Sequence, residues 1–106
     1  MSELAFASAT ELAEKIQRRE ISAVELLKFY LDRVDLYDGD INAVVVDTRE
    51  QALADAEQAD ADLARGVVQG PLHGVPMTVK ESFQLAGTAS TWGNPALRDN
   101  VFTEDA

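Results

Sequence analysis

The sequence contains no cysteine and only one histidine, and both scarcities exclude whole classes of chemistry. Without cysteine the chain forms no disulfide, carries no thiol nucleophile and offers no thiolate ligand to zinc. The single histidine, His73, rules out a metal site built from several histidines of this chain.

Basic side chains are also scarce. The chain has 9 Lys and Arg against 19 Asp and Glu, for a net charge of −10, which argues against nucleic acid or an anionic membrane surface as a partner. No apolar run approaches the ~20 residues of a membrane span. The first residues lack the basic and apolar regions of a secretory signal, so we expect a cytoplasmic protein.

Three stretches carry helix signals, and we predict helices at 9–19, 23–37 and 49–64. The first two follow capping boxes, Ser8-Ala9-Thr10-Glu11 and Ser22-Ala23-Val24-Glu25, in which a serine and a glutamate satisfy the first free N–H groups. Apolar residues recur every three or four positions, which is typical of a helix with one buried face. The acidic side chains lie mostly off that face, so we expect them to be solvated.

Two short stretches are predicted to be strands, near 41–46 and near 75–81. The first is rich in β-branched residues, which favours a strand. In the second, an apolar trio alternates with other residues, so that Lys80 lies on the opposite face. Taken alone, a lysine in a strand is usually a solvated or edge-protecting charge.

The second predicted strand lies within a sequence motif that extends over residues 70–93. It reads Gly70-Pro71-Leu72-His73-Gly74-Val75-Pro76, then Val79-Lys80-Glu81, then Thr88-Ala89-Ser90-Thr91-Trp92-Gly93. These segments resemble the amidase signature family of serine amidohydrolases. That family's early motif is a Gly-Pro-Leu-x-Gly-(Val/Ile)-Pro segment, a short strand, Val-Lys-Asp or Val-Lys-Glu, and a Thr-rich turn. The upstream order of two helices, a strand and an alanine-rich helix is also similar, so the resemblance covers nearly the whole chain.

The resemblance implies an α/β fold in which helices pack on both faces of a mixed sheet. Residues 1–106 would be the N-terminal portion of one amidase domain, ending before the Gly/Ser-rich signature that holds the family's two serines. Thr103-Glu104-Asp105-Ala106 is similar to a helix N-terminus, with a capping hydroxyl and acids in the first turn. We therefore expect the 106 residues to be a fragment.

The resemblance further implies a Ser-cisSer-Lys triad in which Lys80 is the base. The complete enzyme would hydrolyse a carboxamide to a carboxylic acid and ammonia or an amine, without a metal ion or an organic cofactor. A general base must be unprotonated, whereas a free lysine titrates near ~10.4, so Lys80 should face a desolvated pocket there. The partners implied are a small amide and the remainder of the amidase chain, and a homodimer is left open.

Five other residues in or beside the motif carry expectations of their own. Ser82 and Ser90 do not match the family's serine positions, so we expect the 106 residues alone to be inactive. Glu81 stands where the family more often has aspartate. Its side chain is longer, so the group that its carboxylate binds is not predicted. His73 is expected to be a loop residue that is hydrogen-bonded to the backbone. Trp92 either lines an acyl pocket or packs in the interior.

Two other functions fit the sequence. The A subunit of the tRNA-dependent amidotransferase shares the motif and would use the triad to release ammonia from glutamine, and partner subunits in a purification would distinguish it. Outside the family, residues 1–65 would form a helical interaction module with a tail at 66–106. A reading frame that continues past Ala106 into a Gly-Gly-Ser-rich segment would favour the enzyme.

Overall fold

The computed structural model describes residues 2–106, which divide into two compact units. The first unit extends to Pro76, and the second is Met77–Ala106. The elements are a 3-10 helix (Ser2–Phe6), α1 (Ala9–Gln17), α2 (Ala23–Ile41), α3 (Arg49–Ala64) and, in the second unit, a short 3-10 helix (Pro95–Leu97). None of the helices in residues 2–106 has the length and apolar character needed to cross a bilayer.

The predicted starts of α1 and α2 are confirmed, because both capping boxes form. The Ser8 hydroxyl accepts the Glu11 N–H at 3.2 Å, while the Glu11 carboxylate accepts the Ser8 N–H at 2.6 Å. The Ser22 and Glu25 pair repeats the arrangement at 3.0 and 2.9 Å. Each box satisfies N–H groups that have no partner inside the helix.

The end of α1 lies two residues before the predicted one, at Gln17. The chain turns into the left-handed region at Arg19, whose φ is 59°. The N–H groups of Arg19 and Glu20 then bond back to carbonyls in the last turn of the helix, both at 2.9 Å. Glycine usually occupies the left-handed position at the end of a helix. Because this position is an arginine here, the end of α1 could not be predicted from the sequence.

The end of α2 lies beyond the predicted one, because the helix continues through Gly39 to Ile41. It ends where Asn42 adopts a left-handed conformation with φ 55°. Asparagine is one of the few residues that tolerate this conformation, so it takes the place of a terminating glycine. Gly39 is therefore an interior residue of α2 and does not stop it.

The described residues contain no strand, so the predicted α/β character is not confirmed within 2–106. An isolated antiparallel bridge joins Ala89 to Val101. β-Branched and aromatic residues favour a strand because they pack well on a sheet that already has neighbouring strands. Neither 41–46 nor 75–81 has such a neighbour among the described residues.

At 41–46 the backbone groups that a strand would use are engaged elsewhere. The Asp38 carboxylate accepts the N–H groups of Ala43 and Val44 at 2.7 and 3.2 Å. Ile41 belongs to α2, and the residues after Asn42 are irregular. The chain leaving α2 is therefore tied back to the helix instead of being extended for pairing.

At 75–81 the chain is bounded by two turns. The Val75 N–H donates to the Leu72 carbonyl at 3.0 Å, and the Phe83 N–H donates to the Lys80 carbonyl at 3.0 Å. Pro76 has no N–H to contribute to a ladder. The segment between the turns is irregular in this structure.

Two small apolar clusters form the interior of the first unit. Their buried members are Leu4, Leu12, Ile16 and Leu26 in one cluster, and Ala23, Leu27 and Ala56 in the other. The predicted buried face of α3 is confirmed, since Ala52 and Ala59 pack beside Ala56 against residues of α2. Small side chains at this contact allow the two helices to approach closely.

Asp60 of α3 binds the start of α2, which corrects the expectation that the helical acids are solvated. Its two carboxylate oxygens accept the N–H groups of Ala23 and Val24 at 2.7 and 3.1 Å. These are two of the N–H groups that a helix leaves unpaired at its N-terminus, where negative charge is favourable. One side chain therefore joins α3 to α2 at a fixed point.

Replacing Asp60 with asparagine should destabilise the first unit. Asparagine offers one acceptor oxygen, and its amide would point N–H groups at an N–H donor, so we expect the free energy of unfolding to fall by about 1–3 kcal/mol. Urea unfolding followed by far-ultraviolet circular dichroism measures this change, because the α-helices all belong to the first unit. Glu57→Gln, an exposed position of the same helix with the same change of charge, is the control. Equal midpoints for the two variants would contradict the assigned role.

Candidate active site

His73 is buried in the first unit and holds the segment before the motif's lysine by both ring nitrogens. The residue is 5% exposed, its Nδ1 accepts the Gln69 N–H at 3.0 Å, and its Nε2 lies 2.8 Å from the Ala59 carbonyl oxygen. Because Nδ1 is an acceptor, Nε2 carries the proton and donates it to Ala59. The prediction that His73 bonds to the backbone is confirmed.

Asp62 is hydrogen-bonded to Gln69, the residue whose N–H binds His73. Its burial is the second exception to the expected solvation of the acidic side chains in the helices. It is buried, and it accepts from the side-chain amides of Gln58 at 2.9 Å and Gln69 at 3.1 Å, as well as from Arg65. The Gln58 amide foremost, then the Gln69 amide and Arg65, hold the pKa of the Asp62 carboxyl below its ordinary value despite its burial. Gln69 is thereby held by its backbone to His73 and by its side chain to Asp62.

Gly74 follows His73 at a point of close approach. Its φ is 78°, and a Cβ there would lie 3.1 Å from the Ala23 Cβ and 3.4 Å from Ile16 side-chain carbons. Both the left-handed backbone and the lack of space therefore require glycine. The segment 70–76 is packed against the helices of the first unit by this contact and by His73.

Replacing Gly74 with alanine should destabilise the first unit. The left-handed conformation alone costs a residue with a Cβ about 1–2 kcal/mol, and the contact with Ala23 adds to that cost. Gly70→Ala is the matched control, because a Cβ at Gly70 meets nothing within 4 Å and its φ is not in the left-handed region. Urea unfolding of the two variants should separate them clearly, and equal stability would show that Gly74 is not constrained as described.

Lys80, the predicted base, lies in the second unit with an exposed side chain. It forms no ion pair with an acidic side chain of residues 2–106. The nearby apolar side chains of Met77 and Val79 are also exposed, at 67% and 49%. The second unit as described therefore does not itself bury Lys80 in a desolvated pocket.

Glu81, the next residue, binds the Thr-rich turn through both carboxylate oxygens. Oε1 accepts the Thr91 N–H, and Oε2 accepts the Trp92 N–H at 3.0 Å. The Thr91 N–H is the largest cause that holds the pKa of Glu81 below its ordinary value, with further lowering from the Thr91 hydroxyl and the Trp92 N–H. The partner that the sequence left open is thus a pair of backbone amides.

The turn bound by Glu81 has an unusual backbone. Trp92 and Gly93 both have positive φ, at 49° and 73°. The Thr91 carbonyl accepts the Asn94 N–H at 2.9 Å, and its hydroxyl accepts the Gly93 N–H at 3.3 Å. Successive N–H groups in such a turn form a concavity that favours an anion, which the Glu81 carboxylate fills. Trp92 is 65% exposed, so it is not an interior residue of the second unit.

Ser90 is held by its backbone and not by its hydroxyl. Its N–H donates to the Asn100 carbonyl, and its carbonyl accepts the Asn100 side-chain amide, both at 3.0 Å. The hydroxyl is buried and has no hydrogen-bond partner among residues 2–106.

The last residues of the chain, 103–106, form bends and irregular chain, so the predicted helix start is not seen among them. The Asp105 carboxylate accepts the Ala86 N–H at 2.8 Å.

Acidification should open the contact between Glu81 and the turn. A carboxylate with a lowered folded-state pKa stabilises the fold above its unfolded pKa of about 4.3, and that contribution is lost as the pH falls through the lower folded-state value. We expect the Thr91 and Trp92 amide protons to be deshielded at neutral pH and to shift together with a midpoint below about 4.3. NMR titration of the 106-residue chain measures this, with Glu81→Gln removing the response and Glu104→Gln preserving it. A midpoint above about 4.3 would contradict the assignment.

Comparison with known proteins gives consistent matches. The sequence profile of the Amidase family matches residues 25–106. The chain is 40% identical over 104 residues to the A subunit of glutamyl-tRNA(Gln) amidotransferase from Carboxydothermus hydrogenoformans, and 42% identical over 96 residues to an amidase of Pseudomonas putida. It is 41% identical over 99 residues to indoleacetamide hydrolase of Bradyrhizobium diazoefficiens.

These matches cover most of this chain but a small part of each relative. They include 98%, 91% and 93% of this chain, and 21%, 20% and 19% of the three relatives in the same order. The chain therefore spans about a fifth of the length of the curated relatives it matches.

A similar solved structure comes from work on a vestigial protein complex and the evolutionary origins of an s-triazine catabolic enzyme. It superimposes with a TM-score of 0.88 at 33% identity, over 94% of this chain and 22% of that chain. The profile match extends over most of the sequence and includes the three motif segments at 70–93. The chain therefore belongs to the amidase family.

Proposed function

We propose that residues 1–106 supply the N-terminal part of an amidase domain that hydrolyses a carboxamide to a carboxylic acid and ammonia or an amine. Lys80 is the base of a Ser-cisSer-Lys triad, whose serines come from polypeptide outside these residues. The observation that carries the proposal is the Val79-Lys80-Glu81 segment inside the family match at 25–106. Relatives named as an amidase, an acylamidase and an indoleacetamide hydrolase support amide hydrolysis.

Lys80 must lose its proton to act as a base, and burial is the physical means. Moving an ammonium group out of water disfavours its charged form. The second unit carries exposed apolar side chains that further polypeptide could cover, namely Met77, Val79, Phe83, Leu85, Trp92 and Val101. Covering them would also remove water from Lys80, and the relatives are about five times as long as this chain.

The same covering would supply partners for strands. Val45 and Val46 are exposed, as are Met77 and Val79 of the other stretch predicted to be a strand. We propose that both stretches join a mixed sheet with helices on both faces when the remaining polypeptide is present. We also propose that the whole protein is cytoplasmic.

A second candidate is the A subunit of an amidotransferase that releases ammonia from glutamine. Two relatives with that name are 40% and 39% identical to this chain over 104 residues. The chemistry at Lys80 would be the same, and the difference would lie in the partners. Co-purification of further subunits with the whole protein would favour the amidotransferase, and a homodimer or a single chain would favour the free amidase.

Replacing Lys80 should strongly impair amide hydrolysis. The assay uses the Pseudomonas putida amidase in which these 106 residues replace the matching segment. Loss of a general base typically costs about 10²–10⁴-fold, so we expect Lys80→Met to lower kcat/KM by that factor. Lys80→Arg should be equally impaired, because an arginine keeps the charge but cannot lose its proton.

Lys28→Met is the control for this experiment, since Lys28 is an exposed lysine of α2. It should leave kcat/KM unchanged. An active Lys80→Arg variant would mean that Lys80 acts only as a positive charge, and an active Lys80→Met variant would remove it from the chemistry altogether.

A further inference from the structure

We propose that Glu81 is a positioning residue for the amide hydrolysis, which holds the backbone of Lys80 in register with the turn at 91–93. The inference rests on the proposed role of Lys80. It assigns to Glu81 no contact with the substrate and no transfer of a proton.

The contacts of Glu81 indicate this role. Both of its oxygens are used by backbone amides, those of Thr91 and Trp92, and no arginine or lysine of residues 2–106 forms an ion pair with it. The side chain is half-buried. A carboxylate bound in this way has a restricted orientation, because each of its oxygens is held by a separate N–H donor, one on either side of the Thr91 Cα.

Lys80 is directly attached to this fixed point. Its carbonyl belongs to the peptide group shared with Glu81, and the same carbonyl accepts the Phe83 N–H at 3.0 Å. The backbone of Lys80 is therefore held on its C-terminal side by a turn and by the Glu81 carboxylate. A base that transfers protons must lie within hydrogen-bond reach of its partner, and small displacements of a reacting group are costly.

The carboxylate also supports the turn. Trp92 has a φ of 49°, a left-handed conformation that costs a residue with a Cβ about 1–2 kcal/mol. Charge-assisted bonds from the N–H groups of Thr91 and Trp92 to Glu81 are of a kind that offsets this cost. Glu81 therefore fixes two backbone segments at once, the one that carries Lys80 and the one that carries Trp92.

The test uses the Pseudomonas putida amidase that carries these 106 residues, with the Glu81→Gln variant. Glutamine has the size of glutamate but only one acceptor oxygen, so one of the two N–H groups loses its partner. We expect kcat to fall by about 10-fold to 100-fold, with KM little changed, because the substrate contacts remain while the base is misplaced. The pH profile of kcat should change as well, since the surroundings of the base are altered.

Two variants complete the comparison. Glu81→Asp keeps both oxygens and the charge on a side chain that is one methylene shorter, so this variant should restore part of kcat. Glu104→Gln removes an exposed carboxylate of the same unit and should leave kcat and the pH profile unchanged. Should Glu81→Gln fail to fold, Glu81→Ala assayed with added formate takes its place, and formate should raise kcat by occupying the two N–H groups.

A folded Glu81→Gln enzyme with an unaltered kcat and pH profile would overturn the inference, even if its melting temperature fell, because Glu81 would then be a structural contact only. So would an Ala variant that does not respond to formate. The proposed function fails separately, through an active Lys80→Met variant of the same enzyme. If Lys80→Met is inactive and Glu81→Gln is fully active, only the positioning role is lost.

Discussion

Carboxylates that each accept two consecutive backbone N–H groups hold this chain at the start of α2, just after its end, and at the turn 91–93. The pairs are Asp38 with Ala43 and Val44, Asp60 with Ala23 and Val24, and Glu81 with Thr91 and Trp92. An ionised acceptor gives a stronger bond than a neutral one, and two such bonds fix its direction. Part of the net charge of −10 therefore has a structural use, although an acidic surface by itself suggests only solubility.

What could be predicted from the sequence is local. Each capping box, the one at Ser8 and the one at Ser22, spans four consecutive residues. The two boxes therefore predicted the starts of α1 and α2 correctly. The role of Asp60 depends on a contact with Ala23, 37 residues away in the sequence, and no pattern within α3 distinguishes that aspartate from its exposed neighbours. The end of α1 was misplaced because Arg19 adopts the conformation that a glycine usually takes.

The predicted strands illustrate the limit of propensity. β-Branched residues at 41–46 favour a sheet only when a neighbouring strand offers a surface and a ladder of hydrogen bonds. In this structure Asp38 takes two of the N–H groups that a ladder would need, and Val45 and Val46 remain exposed. At the motif, the role of Lys80 as a base stays a prediction from the family resemblance. The pairing of Glu81 with the turn depends on a backbone conformation at Trp92 that no residue pattern specified.

The way Glu81 is bound also bears on how a lysine can act as a base beside an acid. A carboxylate close to an amine stabilises the ammonium form, which is the wrong form for accepting a proton. In this chain both oxygens of Glu81 face the amides of Thr91 and Trp92, and within residues 2–106 no ion pair forms between Glu81 and Lys80. The backbone dipoles of the turn balance the negative charge locally. Glu81 can therefore fix the backbone beside Lys80 without forming an ion pair with its amine. Under the role proposed for Lys80, burial of the surrounding apolar side chains would be the factor that disfavours the charged form.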